Sequence, residues 1–387
     1  MKPNAATYNH LLLVTLTLLA VVACRQRYQP PVASSSGGIL VVDGFIVPGN
    51  DSTFILLSRT AGISDTIKPT PETGAEVKVT GEAGDEHKLF ADTFAGRYIS
   101  HGLNLNPAQK YRLVVVTADG RQYQSDLLTV KTCPAIDSLS WDRDSTGNAQ
   151  VYVSSHDDNA QSIYYKWDYV ETWVYHSSIE TYFDWVDRHS VFLQPEDRFY
   201  YCWHSHNSTN VNISSTAKLG RDVVYRQPVI TVKKGTEQIS VKYSILVNQY
   251  VLTKEAYEFW DGLKKSNEQI GSLFDQQPTQ LETNMHCTTD TSQKVVGYVS
   301  ISERQTKRLF IKNIDLPGWD HVPYYTGFKC DTINANDVEM DKYFPPNGQH
   351  NYSYLGKSLG AENVIMKKDC VDCRVFGGTN KKPPFWQ

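Results

Sequence analysis

Cysteine is the residue type whose chemistry is most constrained in this 387-residue chain, which has seven. The first closes the run Val21-Val22-Ala23-Cys24. A branched apolar residue three positions before a cysteine, with a small one just before it, is the pattern of a bacterial lipobox. Small residues let a peptidase hold an extended chain around the scissile bond, and the thiol carries the lipid. The other six are Cys133, Cys202, Cys287, Cys330, Cys370 and Cys373. An even number in an exported chain reads as a disulfide set, with about 15 possible pairings.

Other constellations are weaker. Cys370-Val371-Asp372-Cys373 has the spacing of a redox or metal pair, but it lacks a βαβ context and a second CxxC. Cys202, His204 and His206 alternate, so a strand places them on one face. There they could share zinc or copper with a further ligand. The competing reading is a disulfide at Cys202 flanked by two rim histidines. Asp142, Asp144, Thr146 and Gly147 resemble the start of a calcium loop, yet the closing glutamate is absent and a hairpin turn fits better. Asp157 and Asp158 sit in a polar stretch and read as solvated acids. The sequence contains no GxSxG, HExxH, GxGxxG or P-loop. No catalytic, cofactor-binding or metal-binding residue is therefore assigned, and Cys24 is the expected lipid-attachment site.

The elements that position these residues follow from patterning. Leu11 to Ala23 carries no charge, and its 13 residues would span about 20 Å as a helix, short of a ~30 Å hydrocarbon core. Residues 1–23 read as a signal peptide and 24–37, rich in Pro, Ser and Gly, as a flexible tether. An acylated first residue would anchor the mature chain to a membrane without spanning it. Net charge is −4, without a basic cluster, which argues against nucleic-acid partners.

Residues 38–131 show seven short strand-like runs, among them "ILVVDGFIV", "TFILLSR" and the strictly alternating "AEVKVT". Thr117-Ala118-Asp119-Gly120-Arg121 supplies a hairpin turn. This is the texture of an immunoglobulin-like β-sandwich. Residues 132–387 read as a second β-rich domain. Between Tyr164 and Trp203 there are 14 aromatic residues. Tyr165, Trp167, Tyr169, Trp173 and Tyr175 share one strand face, interrupted at Glu171. They read as sheet core, the alternative being a surface that stacks on a sugar or grips a partner. One amphipathic helix is expected over 253–270, capped by Thr253 and carrying the stripe Ala256, Phe259, Trp260, Leu263 and Ile270. The expected fold class is mostly β: a sandwich, then a second β-rich domain with one helix.

The block "SVKYSILVNQYVLTKEAYEFWDGLKKSNEQIGSLFDQQPTQLETNMHC", from Ser240 to Cys287, resembles the Bacteroidota lipoproteins catalogued as domain of unknown function 4249. So do the early "ILVVDGFIV" and the closing "CVDCRVFGGTNKKPPFW". The likeness runs from about Ile39 to Trp386, although Cys133-Pro-Ala-Ile-Asp-Ser138 departs from the usual "PPIDS" junction. The resemblance implies an envelope lipoprotein, often encoded near TonB-dependent outer-membrane receptors, and no known reaction. The expected function is thus a binding or accessory module for a TonB-dependent receptor system, held to the outer membrane by its lipid and needing no cofactor. An envelope hydrolase acting on glycans or peptides and a structural or adhesive module are the alternatives. Periplasmic and surface placement both stay open. Mass spectrometry of the mature terminus should find a peptide that begins at Cys24 and carries acyl chains; an unacylated terminus would contradict the lipobox reading.

Overall fold

The computed structural model describes residues 38–61, 69–268, 282–320, 329–346 and 350–386. The expected signal peptide, Cys24 and the tether lie outside the described residues.

The amino-terminal sandwich contains β1 (Leu40–Ile46), β2 (Ser52–Arg59), β3 (Thr70–Pro71), β4 (Glu76–Gly81), β5 (Glu86–Ala91), β6 (Arg97–His101), β7 (Lys110–Val116), β8 (Gln122–Ser125) and β9 (Leu128–Thr129). Alternation sets the faces. Val77 and Val79 on β4 point inward with Leu113 and Val115 on β7, while Glu76 and Lys78 are not buried. Burying each such side chain contributes about 1.5–3 kcal/mol. The strand order is β8-β7-β4-β5-β6-β2-β1. β5 joins the two layers: Glu86 to Leu89 pair with β4, and Phe90 and Ala91 pair with β6. The turn expected at Thr117–Arg121 is present, with Gly120 at φ +83°.

The second sandwich repeats this plan. β10 (Ile136–Arg143), β11 (Ala149–His156) and β17 (Val223–Val232) form one sheet. β12 (Tyr164–His176) and β18 (Lys242–Val251) form the centre of the other, flanked by β15 (Tyr201–Asn207), β16 (Asn212–Ser215) and β22 (Gln305–Lys312). Lettered in chain order, both sandwiches place strands A-B-E against C′-C-F-G, an immunoglobulin-type arrangement. The expected sandwich is there, and a second of the same topology follows it.

Insertions carry the differences. After β18 comes helix α1 (Lys254–Glu268), where the backbone N–H of Ala256 donates to Thr253 Oγ1 at 3.2 Å, as the cap requires. Ala256 and Phe259 are buried, and Leu263 partly so, while the Ile270 end of the expected helix lies outside the described residues. The chain then adds β19 (Met285–Cys287) to β8, and β20 (Val295–Val296) and β21 (Ser300–Ile301) parallel to β1. A domain running unbroken from 132 to 387 is therefore not what forms, because residues 285–301 complete the first sandwich. Gly297 permits this approach: at φ +128°, a Cβ there would stand 1.9 Å from the Val42 carbonyl oxygen. A hairpin, β13 (Phe183–Val186) and β14 (His189–Phe192), packs Phe183 and Trp185 on a small sheet of β23 (Ile333–Ala335), β24 (Tyr352–Lys357) and β25 (Asn363–Lys367).

The cysteines divide by location. Cys202 bonds to Cys373, and Cys330 to Cys370, so each member of the CxxC holds a different partner. Cys133 and Cys287, expected as disulfide candidates, are free and buried. They cannot meet: Cys133 belongs to the core of the second sandwich and Cys287 to that of the first. Burial pushes the Cys133 thiol up to about 12. Thiol titration of the denatured, unreduced mature chain should find Cys133 and Cys287 alone once Cys24 is acylated or replaced. Replacing Cys330 and Cys370 by alanine, which opens a link spanning 40 positions, should cost about 4 kcal/mol in denaturant unfolding. Four or more free thiols in that titration would contradict the pairing.

Candidate functional site

The sequence candidates separate when the chain folds. Cys202, His204 and His206 do share a face of β15, opposite Tyr175, Trp173 and Glu171 of β12. The sulfur is spent in a disulfide, and each histidine meets its own carboxylate. His204 Nδ1 lies 3.5 Å from Glu237, and His206 Nδ1 lies 3.8 Å from Glu171. Among the described residues no group of three or more His, Cys, Asp or Glu side chains could hold a metal ion. At the suspected calcium loop, Asp144 accepts from the backbone N–H groups of Thr146 and Asn148 and from both of their side chains, at 2.7–2.9 Å. These bonds draw its carboxyl down to about 2 and make it the anchor of a turn. Asp142 pairs with Arg226. Asp157 caps Asn159 and Gln161, and Asp158 stays exposed.

The aromatic run of β12 is core. Tyr165, Trp167, Tyr169 and Tyr175 are buried. Their polar tips are served where they go under: Trp167 Nε1 donates to Gln249 Oε1 at 2.9 Å, and Tyr165 hydroxyl to Asp222 Oδ1 at 3.1 Å. The rest of the aromatic segment divides, with Tyr182, Phe192 and Tyr201 exposed. Glu171 interrupts the core face and is itself buried, accepting from Tyr243 hydroxyl at 2.8 Å.

What the sequence did not reveal is a cleft of about 690 Å³ between the two sandwiches. One wall is the outer face of the first. On β2, Ile55 and Leu57 enter the core, whereas Phe54 and Leu56 point out and are 38% and 44% exposed. The register sets Phe54 between Phe45 of β1 and Ile99 of β6, with Phe90 of β5 beyond Ile99. Phe94, 65% exposed, projects from the β5–β6 turn. The Arg97 guanidinium spans the wall, 4.3 Å from the Phe94 ring and 5.5 Å from that of Phe54, and pairs with Asp92.

The floor is the outward face of β12 and β18. Asn248 donates to Asp168 at 2.5 Å, and Lys166 lies 4.0 Å from the same carboxylate. The Lys166 ammonium sits 4.9 Å from the Phe45 ring, 4.7 Å from Trp260 and 5.8 Å from Tyr250. Phe45 in turn stacks on Tyr250 at 4.3 Å. Three rings around one cation bind β1, β18 and α1 together where the sandwiches meet. Asn207, Ser208 and Asn210 rim the cleft with amide and hydroxyl groups. An apolar wall facing a polar floor suits recognition of an amphipathic segment. The signal for it was present in "TFILLSR": an unbroken apolar run on a strand with one wet face implies a second use for that face.

The buried Glu171 makes stability depend on pH. Desolvation raises its carboxyl above the usual value, and the Tyr243 bond and His206 oppose this only in part. The folded state thus holds the proton more tightly than the unfolded one, so stability falls as pH rises from the ordinary carboxylate range through the raised value. Glu171→Gln should melt above the parent at pH 8 and close to it at pH 4. Equal melting temperatures at pH 8 would contradict that burial cost.

Comparison with known proteins adds a family and little else. A search of curated proteins finds no match. Among solved structures, a cytokine receptor complex is 8% identical, covering 54% of this chain and 90% of that one, with a TM-score of 0.19. A two-domain fibronectin type III segment from chicken tenascin is also 8% identical, covering 71% and 98%, with a TM-score of 0.17. Superposition that poor carries no argument, and the sandwich assignment rests on strand order. The family model described as domain of unknown function (DUF4249) matches residues 25–308, most of the chain, and the protein belongs to that family.

Proposed function

We propose that the chain is an exported lipoprotein, acylated at Cys24 and held at the outer membrane, that serves as a non-catalytic binding module of a TonB-dependent receptor system. The observation that carries this reading is the exposed apolar wall of Phe54, Leu56 and Phe94 opposite the polar floor of the cleft. The occupant is a loop of the receptor that presents an apolar side chain to the wall and its backbone amides to Asn207, Ser208 and Asn210. Continuity supports it: the row from Phe90 to Phe54 runs on into Phe45, which is already buried against Tyr250 of the second sandwich. A partner would extend an interface that exists.

The Cys202–Cys373 and Cys330–Cys370 disulfides support the cellular placement, since they suit an oxidising compartment. No helix among the described residues is long and apolar enough to cross a membrane. Affinity purification of the acylated protein from envelopes should enrich a TonB-dependent receptor. A Phe54→Ser, Leu56→Ser double variant removes about 1–2 kcal/mol of the burial still open to a partner, and should weaken that capture about tenfold. Both side chains point away from the core, so the variant should still fold by circular dichroism, with a lowered melting temperature because more than half of each is covered in the free protein. Undiminished capture by the folded double variant would overturn the cleft as the docking site.

A further inference from the structure

A second cavity, of about 650 Å³, shares no lining residue with the cleft. It lies beside α1, which gives Phe259 to this cavity and Trp260 to the cleft. Its volume falls within the range of about 300–1,000 Å³ usual for small-molecule sites. Ile39, Phe259, Met285, Cys287 and Val295 supply apolar walls. All but Ile39 are buried, and all but Phe259 come from strands, or the approach to one, of the first sandwich.

The polar groups at the edge narrow the ligand class. Thr283 Oγ1 donates to the Gly297 carbonyl at 2.5 Å, and Gln293 Nε2 to Asp290 Oδ2 at 3.3 Å, so both are engaged within the protein. His286 Nε2 lies 3.1 Å from Asp126. Lys294 is exposed and makes no ion pair among the described residues. No acidic side chain lines the cavity. Thr291, exposed at the edge, adds a single hydroxyl, whereas a sugar would need several convergent hydrogen-bonding groups. An apolar chain ending in one negative charge would bury the chain against Phe259, Met285 and Val295 and leave its head beside Lys294.

We propose that this cavity binds a long-chain carboxylate, with Lys294 facing the head group. The site is independent of the cleft and of any receptor, and needs no acylation of Cys24. The test uses the mature chain carrying Cys24→Ala, so that no acyl group of its own competes. Dansyl-undecanoate should bind saturably and be displaced by dodecanoate, while methyl dodecanoate should displace it about tenfold less well. Val296→Trp, made at an exposed edge position that lines the cavity, should abolish binding. Lys294→Glu should weaken dodecanoate about tenfold and leave the methyl ester unchanged. Cys287 gives a second readout. Dodecanoate should slow its alkylation by iodoacetamide and leave Cys133, buried in the other sandwich, unaffected. Absence of saturable binding, equal binding by the folded Val296→Trp variant, or equal slowing at both thiols would each overturn the proposal.

Discussion

The ammonium of Lys166, held among Phe45, Tyr250 and Trp260, is the interaction on which the shape of the molecule turns. Each ring belongs to a different element: β1 of the first sandwich, β18 of the second, and α1. A lysine this enclosed, its side chain 11% exposed, costs desolvation, which ring quadrupoles and the nearby Asp168 carboxylate offset. Its cage joins the outer wall of one sandwich to the floor of the other at the edge of the cleft.

Chain topology reinforces the same junction. The polypeptide leaves the second sandwich after β18, forms α1, lends three short strands to the first sandwich, and returns as β22. Two edges of the first sandwich are thereby closed by residues that arrive more than 150 positions later, as in the pairing of Cys287 with Tyr123. At the other end of the floor, the carboxyl terminus covers what remains. Trp386 packs on Trp203 and Phe310, and the Arg308 guanidinium lies 3.6 Å from the Phe385 ring. The disulfides of Cys370 and Cys373 and the bond from Tyr175 hydroxyl to the Cys373 carbonyl, at 2.8 Å, hold that tail in place. The outer face of this sheet is thus covered at both ends, by the tail and by the first sandwich.

Much of the scaffold was legible in the residues. Strict alternation marked β4, Thr253 marked the start of α1, and the odd-numbered aromatics of β12 marked a buried face, because burial leaves a periodic trace. The family likeness, read from about Ile39 to Trp386, is met by a match over residues 25–308, and the closing "CVDCRVFGGTNKKPPFW" lies beyond that match. Other features leave no periodic trace. β19, β20 and β21 are two or three residues long, too short for a pattern, and their partners are distant in sequence. Cysteine pairing depends on which core each sulfur enters, so an even count suggested three bonds where two form. The cleft escaped notice for a related reason. In "TFILLSR" both faces of β2 are apolar: the first sandwich's core takes Ile55 and Leu57, and the run does not say what meets Phe54 and Leu56.

The role of the cleft wall is most directly tested by placing a photo-crosslinking phenylalanine analogue at Phe94 in living cells, with Tyr225 of β17, 79% exposed and remote from the lining, as the control position. Irradiation should yield one discrete adduct with an outer-membrane receptor from position 94 and none from 225. Equal labelling from both positions, or none from position 94, would contradict a partner seated against Phe54, Leu56 and Phe94.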